Sequence, residues 1–228
     1  MPAVFTSQPA FHFLTTLVKM KSVMSNPIPL ERSFFEKDTI WVARNLLGKY
    51  LVRRTDRGKM CGKIVETEAY LGVSDPACHA YAGLTPRTAI FFGKPGVAYV
   101  FVIFGIHYCL NVITLPEPLA GCVLIRALEP VFGLDLMRKN RPVDRDIDLT
   151  NGPGKLTKAL SIDSTHNGLD LTKPDEELII TGGYDEFFEI EVTERVGISK
   201  AADELLRFYI KNNPFVSYPR YPRNKKIS

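Results

Sequence analysis

Two glutamates, Glu66 and Glu68, stand one residue apart in the stretch GKIVETEAYLG, Gly62 to Gly72, inside a run of Val, Ile, Thr and Tyr that favours extended chain. Read as a strand over residues 63 to 71, the run alternates its side chains between two faces. Val65, Thr67, Ala69 and Leu71 form the natural core face, and Ile64, Glu66, Glu68 and Tyr70 share the other. The carboxylates then sit side by side, with backbone positions about 6.8 Å apart. Paired carboxylates at such a spacing can do acid/base work on a glycosidic bond, one of them activating water. The competing reading is a solvated strand face, which the pattern alone favours because charged residues are mostly exposed.

The elements that must hold these groups follow from local signals. Asp38, then TIWVARNLL and Gly48, reads as a helix with Asp38 as N-cap and Gly48 just past its end. KYLVRR and GKIVETEAYL, separated by TDRGKMC, read as a hairpin. Residues 73 to 96 are rich in Pro, Gly and small side chains and form a long connection of the kind that is often functional. VAYVFVIF and HYCLNVIT, parted by Gly105 and Ile106, make a second hairpin, and CVLIRALEP is a further strand. Residues 130 to 139 and 154 to 162 read as helices, with NGPG at the entry of the second. ELIITGG and FEIEVTERVG read as strands, and SKAADELLRFYI as a helix capped by Ser199 before the chain extends. Mixed hairpins with flanking helices make the fold α+β rather than a parallel doubly wound sheet.

With 228 residues, 45% hydrophobic and 24% charged, the chain can bury one sizeable core as a single domain. A net charge of +4 permits a polyanionic partner without requiring one. The balance changes sign late in the chain: acidic residues gather between Asp175 and Glu194, while Arg207, Lys211, Arg220, Arg223, Lys225 and Lys226 follow from residue 207 onward with no acid among them. Cys61, Cys78, Cys109 and Cys122 form no CxxC pair, so reduced, buried thiols are expected, with an intracellular location. Residues 1–24 hold no acid and carry a short apolar segment, FHFLTTLV, with Lys19 and Lys21 behind it. That is too short for a membrane span and has the wrong flank for a secretory signal. A weak targeting peptide and a start placed ahead of the native Met24 both remain open.

KIVETEAYLG, CHAY, TPRT, KPGVAYVFVIFGIHYCLNV, CVLIRALEP, NGPGKLTKAL, RVGI and LRFYIKNNPFVS together resemble, in order and from about Phe34 to Ser217, the alkyladenine (3-methyladenine) DNA glycosylase family. The resemblance implies one compact domain, residues 25–217, around a curved antiparallel sheet with a protruding hairpin. Residues 1–24 would be an N-terminal extension and 218–228 a basic tail. It also implies removal of alkylated or deaminated purines from duplex DNA by a monomer with no membrane partner, no metal and no organic cofactor. The compartment would be cytoplasm or nucleoid in a bacterium and nucleus in a eukaryote.

Carried over by position, Glu68 would be the general base that activates water, with Glu66 left to structure. Arg126 and the main chain at Val196 would help hold the attacking water; a guanidinium beside a carboxylate favours the ionised, proton-accepting form. Tyr70, His79 and Phe101 would line the pocket for the flipped base, and Asn111 at its floor would disfavour guanine's exocyclic amine. Phe104 at the hairpin tip would fill the gap the flipped nucleotide leaves. Better known members carry tyrosine at positions 101 and 104. Stacking and wedging need only the ring, so the substitutions bear on contacts that a hydroxyl would make.

Two other functions fit parts of the pattern: a hydrolase of free nucleosides or sugars using Glu66 and Glu68 as a pair, and a nucleic-acid-binding module with no chemistry. Release of a base from duplex DNA separates all three. Because acidic and family-like sequence begins only after Met24, a chain starting there is expected to unfold at the same temperature as the full chain and to keep its activity. A clearly lower thermal midpoint would count against that.

Overall fold

The computed structural model describes residues 27–183 and 186–218. The expected N-terminal extension, and all of the expected basic tail except Tyr218, lie outside the described residues. Short helices α1 (Arg32–Phe35) and α2 (Thr39–Leu46) lead into strands β1 (Tyr50–Thr55) and β2 (Gly58–Tyr70), then β3 (Ala98–Ile103), β4 (His107–Ile113) and β5 (Cys122–Phe132). Helices α3 (Leu134–Asn140) and α4 (Pro153–Ala159) come next, followed by β6 (Leu178–Thr181), β7 (Ile190–Thr193) and β8 (Arg207–Ile210). The strands form one antiparallel sheet in the order β3-β4-β5-β2-β1-β6, with β8 paired to β2 and β7 to β8. This is the α+β single domain that the sequence suggests. Among the described residues no helix is long and apolar enough to cross a membrane.

β2 is the axis of the sheet. Its first half pairs with β1, its second half with β8, and β5 runs along its other edge. Against β5 the register shifts between Ile64 and Glu66 and again between Glu66 and Thr67. A bulge adds a residue to one strand and re-aims its side chains, so the simple two-face alternation does not hold here. Apart from the half-buried Lys63, every residue from Cys61 to Ala69 is buried. Helix α2 covers one side, where Val42, Ala43 and Leu46 are buried and Thr67 Oγ1 donates to the Ala43 carbonyl at 2.8 Å. The solvated strand face is therefore wrong: both glutamates of β2 are buried within the fold.

Local signals placed the first helix well. Asp38 Oδ1 accepts from the Ile40 and Trp41 amides at 2.9 and 3.1 Å, and Gly48 takes the left-handed φ of +80° that ends it. The first hairpin turns more tightly than its polar stretch suggests, because Gly58 adopts φ +131° and lets GKMC join β2. Residues 130–132 belong to β5, so α3 begins only at Leu134, and α4 spans Pro153–Ala159. The helix expected from Ser199 does not form: residues 199–206 are bends and turns, and Arg207–Ile210 is a strand. Pairing to both β2 and β7 overrides the helical propensity of that stretch. Only Ile190–Thr193 of the preceding expected strand is regular.

Gly72 ends β2's run into the long connection. Its φ is +70°, and a Cβ there would stand 1.9 Å from the Ala120 carbonyl oxygen. A left-handed backbone costs a non-glycine residue about 1–2 kcal/mol before any clash. Gly72→Ala is therefore expected to lose at least about 2 kcal/mol in urea unfolding once the displaced backbone is included. An unchanged midpoint would contradict the close approach.

Candidate active site

Glu68 sits on the C-terminal half of β2, opposite Leu124 of β5 and Arg207 of β8. Its side chain is fully buried. Oε1 accepts from the Val196 amide at 2.8 Å and lies 3.2 Å from Arg126 Nη1. Oε2 accepts from the Tyr70 hydroxyl at 2.9 Å. Burial, and then the Glu68 carboxylate beside it, push the Tyr70 phenol well above its ordinary pKa, so Tyr70 stays a donor. A carboxylate held by three such donors has fixed orientation and lone pairs left to accept a proton.

Glu66 is held differently. Its Oε1 accepts from Arg126 Nε at 2.8 Å, from Arg207 Nε at 2.7 Å and from the Ser217 hydroxyl at 2.8 Å, while Oε2 accepts from the Ser217 amide. Burial alone would raise this carboxyl. The charges of Arg126 and Arg207 and the Ser217 amide outweigh it and hold Glu66 below its ordinary value. Through these partners Glu66 ties β2 to β5, β8 and the segment after β8. Arg126 touches both glutamates, but Arg207 and Ser217 reach only Glu66: one carboxylate is saturated, and the other is held by residues that line a cavity.

That cavity, about 350 Å³, lies against the ends of β3, β4 and β5. Tyr70, Arg126 and Val196, the three partners of Glu68, line it. His79, Phe101 and Asn111 line it too, so the structure brings together all the expected pocket residues. His79 Nδ1 lies 2.8 Å from the Tyr99 hydroxyl and its ring packs edge-on to Phe101 at 4.7 Å. Burial, then the Arg87 charge, lower the His79 pKa and favour the neutral ring. Asn111 Nδ2 donates to the Tyr99 carbonyl at 3.2 Å, and the Cys122 thiol points at Asn111 Oδ1. Among the described residues no group of His, Cys, Asp and Glu could hold a metal ion.

Phe104 lines the cavity mouth yet is 85% exposed. It and Gly105 have φ of +52° and +71°, in a turn closed by the Ile106 amide on the Ile103 carbonyl. Primed hairpin turns need positive φ at both central residues. Asn or Gly meets that demand without strain, and a bulky ring does not. Packing does not explain a phenylalanine here, and neither does local conformation.

Sequence reading missed several residues. Arg195, one position before Val196 in ERVGI, is fully buried and clamps Asp75: Nη2 donates to Oδ1 at 2.9 Å, with Nη1 on Oδ2. Its guanidinium also lies 4.7 Å from the centre of the Tyr70 ring. The pair thus locks both the ring and the amide that hold Glu68. Arg207 and Lys211 were counted in a basic end, but Arg207 is buried on Glu66 and Lys211 pairs with Glu189 at 2.6 Å. Charge counts cannot separate a buried cation from a solvated one. Cys78, Cys109 and Cys122 also line the cavity, and all four cysteines are free and buried.

A buried carboxylate stands directly behind three residues of a largely aromatic cavity, which opens beneath an exposed ring on a hairpin. The chain matches the family described as "Methylpurine-DNA glycosylase (MPG)" over residues 33–214. It is 49% identical over 203 residues to a protein of Prosthecochloris aestuarii, covering 86% of this chain and 95% of that one. It is 44% identical over 204 residues to one of Koribacter versatilis (88% and 99%), and 47% identical over 188 residues to one of Carboxydothermus hydrogenoformans (82% and 98%). Each of these relatives bears the name "Putative 3-methyladenine DNA glycosylase". The chain belongs to the methylpurine-DNA glycosylase family and is a DNA glycosylase of base excision repair.

The Glu66 network makes a pH prediction. Its folded carboxyl lies below the ordinary value of 4.5, so the stability it contributes is complete above about pH 4.5 and is lost as pH falls through the lower folded value. Glu66→Gln leaves Arg126 and Arg207 without their shared counter-charge and is expected to cost about 3–5 kcal/mol at neutral pH. The cost should shrink in acid, once pH has fallen through the lowered folded value and the native carboxyl itself protonates. Denaturant titrations at neutral and at acid pH check this, and an equal cost at both would contradict it.

Proposed function

We propose that the protein hydrolyses the N-glycosidic bond of alkylated or deaminated purines flipped out of duplex DNA, 3-methyladenine, 7-methylguanine, hypoxanthine and ethenoadenine among them, and leaves an abasic site. The observation that carries this is Glu68: a carboxylate fixed by Val196, Arg126 and Tyr70, three residues that line a cavity roomy enough for a purine. Cleavage of the bond to C1′ builds positive charge on the sugar, and an alkylated purine, already cationic, leaves easily. Water placed against Arg126 and the Val196 main chain gives its proton to Glu68 and its oxygen to C1′. Tyr70, His79 and Phe101 stack on the displaced base. Asn111, at the floor of the cavity, disfavours guanine by leaving no room for its exocyclic amine. No lysine lines the cavity among the described residues, which agrees with water rather than an amine as the nucleophile. The enzyme acts as a monomer, and Phe104 takes the place vacated in the duplex.

The rival carboxylate-pair hydrolase is disfavoured by Glu66, whose oxygens are taken up by Arg126, Arg207 and Ser217. Single-turnover excision from a hypoxanthine duplex, paired with equilibrium binding to the same DNA, tests the assignment. Glu68→Gln keeps the shape and removes the proton acceptor, so excision should slow at least about 100-fold while binding persists. Glu66→Gln, where it folds, should slow the chemical step far less. An active Glu68→Gln enzyme would sink the proposal.

Phe104→Ala removes a ring that is 85% exposed. Its thermal midpoint should match the wild type while binding and excision of damaged duplex both weaken. If instead the protein unfolds readily, as a core Phe→Ala does on losing about 3–5 kcal/mol, Phe104 is a packing residue.

A further inference from the structure

Arg195 and Asp75 pair without lining the base cavity, yet each is bonded to a part of the chain that does line it. Asp75 organises the connection that leaves β2. Its Oδ2 accepts from the Leu71 amide at 3.1 Å, its Oδ1 from the Ala77 amide at 3.0 Å, and its carbonyl from the Cys78 amide at 2.9 Å. Ala77, Cys78 and His79 then enter the cavity wall. Arg195 Nη2, besides bonding Asp75, donates to the Ala201 carbonyl at 3.4 Å, across a turn whose Val196, Gly197 and Ile198 belong to the same wall.

The pair also grips β2 itself. Arg195 Nη1 donates at 3.0 Å to the carbonyl of Ala69, the residue between Glu68 and Tyr70. The guanidinium lies over the Tyr70 ring, 4.7 Å from its centre, where a cation and a ring face attract. Tyr70 donates to Glu68 Oε2, and the amide of Val196, next in the chain to Arg195, donates to Oε1. Two of the three donors on Glu68 are therefore held by Arg195. Burial alone would raise the Asp75 carboxyl, but its bonds from Arg195 and from the Ala77 and Leu71 amides keep it below its ordinary value and ionised.

Stability explains this polarity poorly. A buried ion pair is often no better than apolar residues of similar volume, and Arg195 Nε is buried with no hydrogen-bond partner among the described residues, which costs free energy. Directed bonds to three backbone segments are what apolar packing could not supply. We propose that the Arg195–Asp75 pair positions the proton acceptor: it keeps the Tyr70 hydroxyl and the Val196 amide on Glu68 and fixes that carboxylate relative to the His79 side of the base cavity. Both residues act through Glu68. The inference rests on the reading of Glu68 as the group that takes a proton from water, and the test includes Glu68→Gln so that the two fail separately.

Single-turnover excision from a hypoxanthine duplex reads the chemical step, and equilibrium binding of the same DNA reads recognition. Both are measured on the full chain, well below each variant's thermal midpoint. Asp75→Asn keeps the shape and weakens the clamp. Arg195→Lys keeps the buried charge but loses the fork that reaches Asp75, Ala69 and Ala201 together, and it decides the matter if Asp75→Asn does not fold. Misplacing a reacting group by about 1 Å can cost about 100-fold in rate, so each variant should slow excision about 10- to 100-fold. Affinity should be nearly unchanged. In the Glu68→Gln background the same substitutions should slow excision no further, because their effect passes through that carboxylate. Asp170→Asn breaks the Arg32–Asp170 pair, neither member of which lines the cavity, and should lower the thermal midpoint without slowing excision. Wild-type rates for folded Asp75→Asn or Arg195→Lys would overturn the positioning role alone. So would a loss of binding as large as the loss of rate, a further loss in the Glu68→Gln background, or an equal slowing by Asp170→Asn. An active Glu68→Gln enzyme would sink the proton-acceptor reading and the positioning role with it.

Discussion

The buried charge cluster on β2 is what the rest of the molecule depends on. Glu66, Glu68, Arg126 and Arg207 are all nearly or wholly withdrawn from water, and withdrawing a charge from water is expensive unless it is paired and hydrogen-bonded. The fold meets that demand from four parts of the chain: β5 supplies Arg126, β8 supplies Arg207, and the segments at Val196 and Ser217 supply amides and a hydroxyl. Because the cluster must be satisfied as a whole, the segments that satisfy it are fixed in place. The reactive geometry and the tertiary structure are consequently one arrangement.

The cluster also explains why neighbouring glutamates of the same strand differ. Arg126 bridges them, but Glu66 receives a second guanidinium and two groups of Ser217, while Glu68 receives one neutral amide and a phenol. Glu68 is the carboxylate left with spare capacity to accept a hydrogen bond. Behind it, Arg195 and Asp75 hold Tyr70 and the Val196 region without lining the cavity, so their charges stay out of its wall.

Much of this was legible in the sequence, for identifiable reasons. Asp38 and Gly48 carry their helix signals locally, and the two hairpins announce themselves by β-branched runs. The carboxylate spacing drew attention to β2, and likeness to a family, rather than any pattern in the residues, separated Glu68 from Glu66. Long-range requirements were invisible. No local signal says that a bulge at Val65 buries both faces of β2, or that Arg207 leaves a run of basic residues to meet Glu66. Propensity misjudged the stretch from Ser199, because pairing with β2 decides its conformation. Arg195 could have been suspected only as a charged neighbour of a quoted motif.

The cavity wall of Cys78, Cys109 and Cys122 has a consequence for a DNA glycosylase of base excision repair. Reagents that methylate purines also attack sulfur, and it is the thiolate that reacts. Burial pushes the Cys109 thiol up to about 11 and raises Cys122 well above its ordinary value. Both are thereby kept in the unreactive form by the same dryness that suits the cavity to a base. Cys78 is the exception: hydrogen bonds from Cys122 and from the Ala80 and Gly72 amides lower its pKa. Its burial still withdraws Cys78 from solvent-borne reagents, so a sulfur-rich wall can stand one residue from His79 without becoming a target.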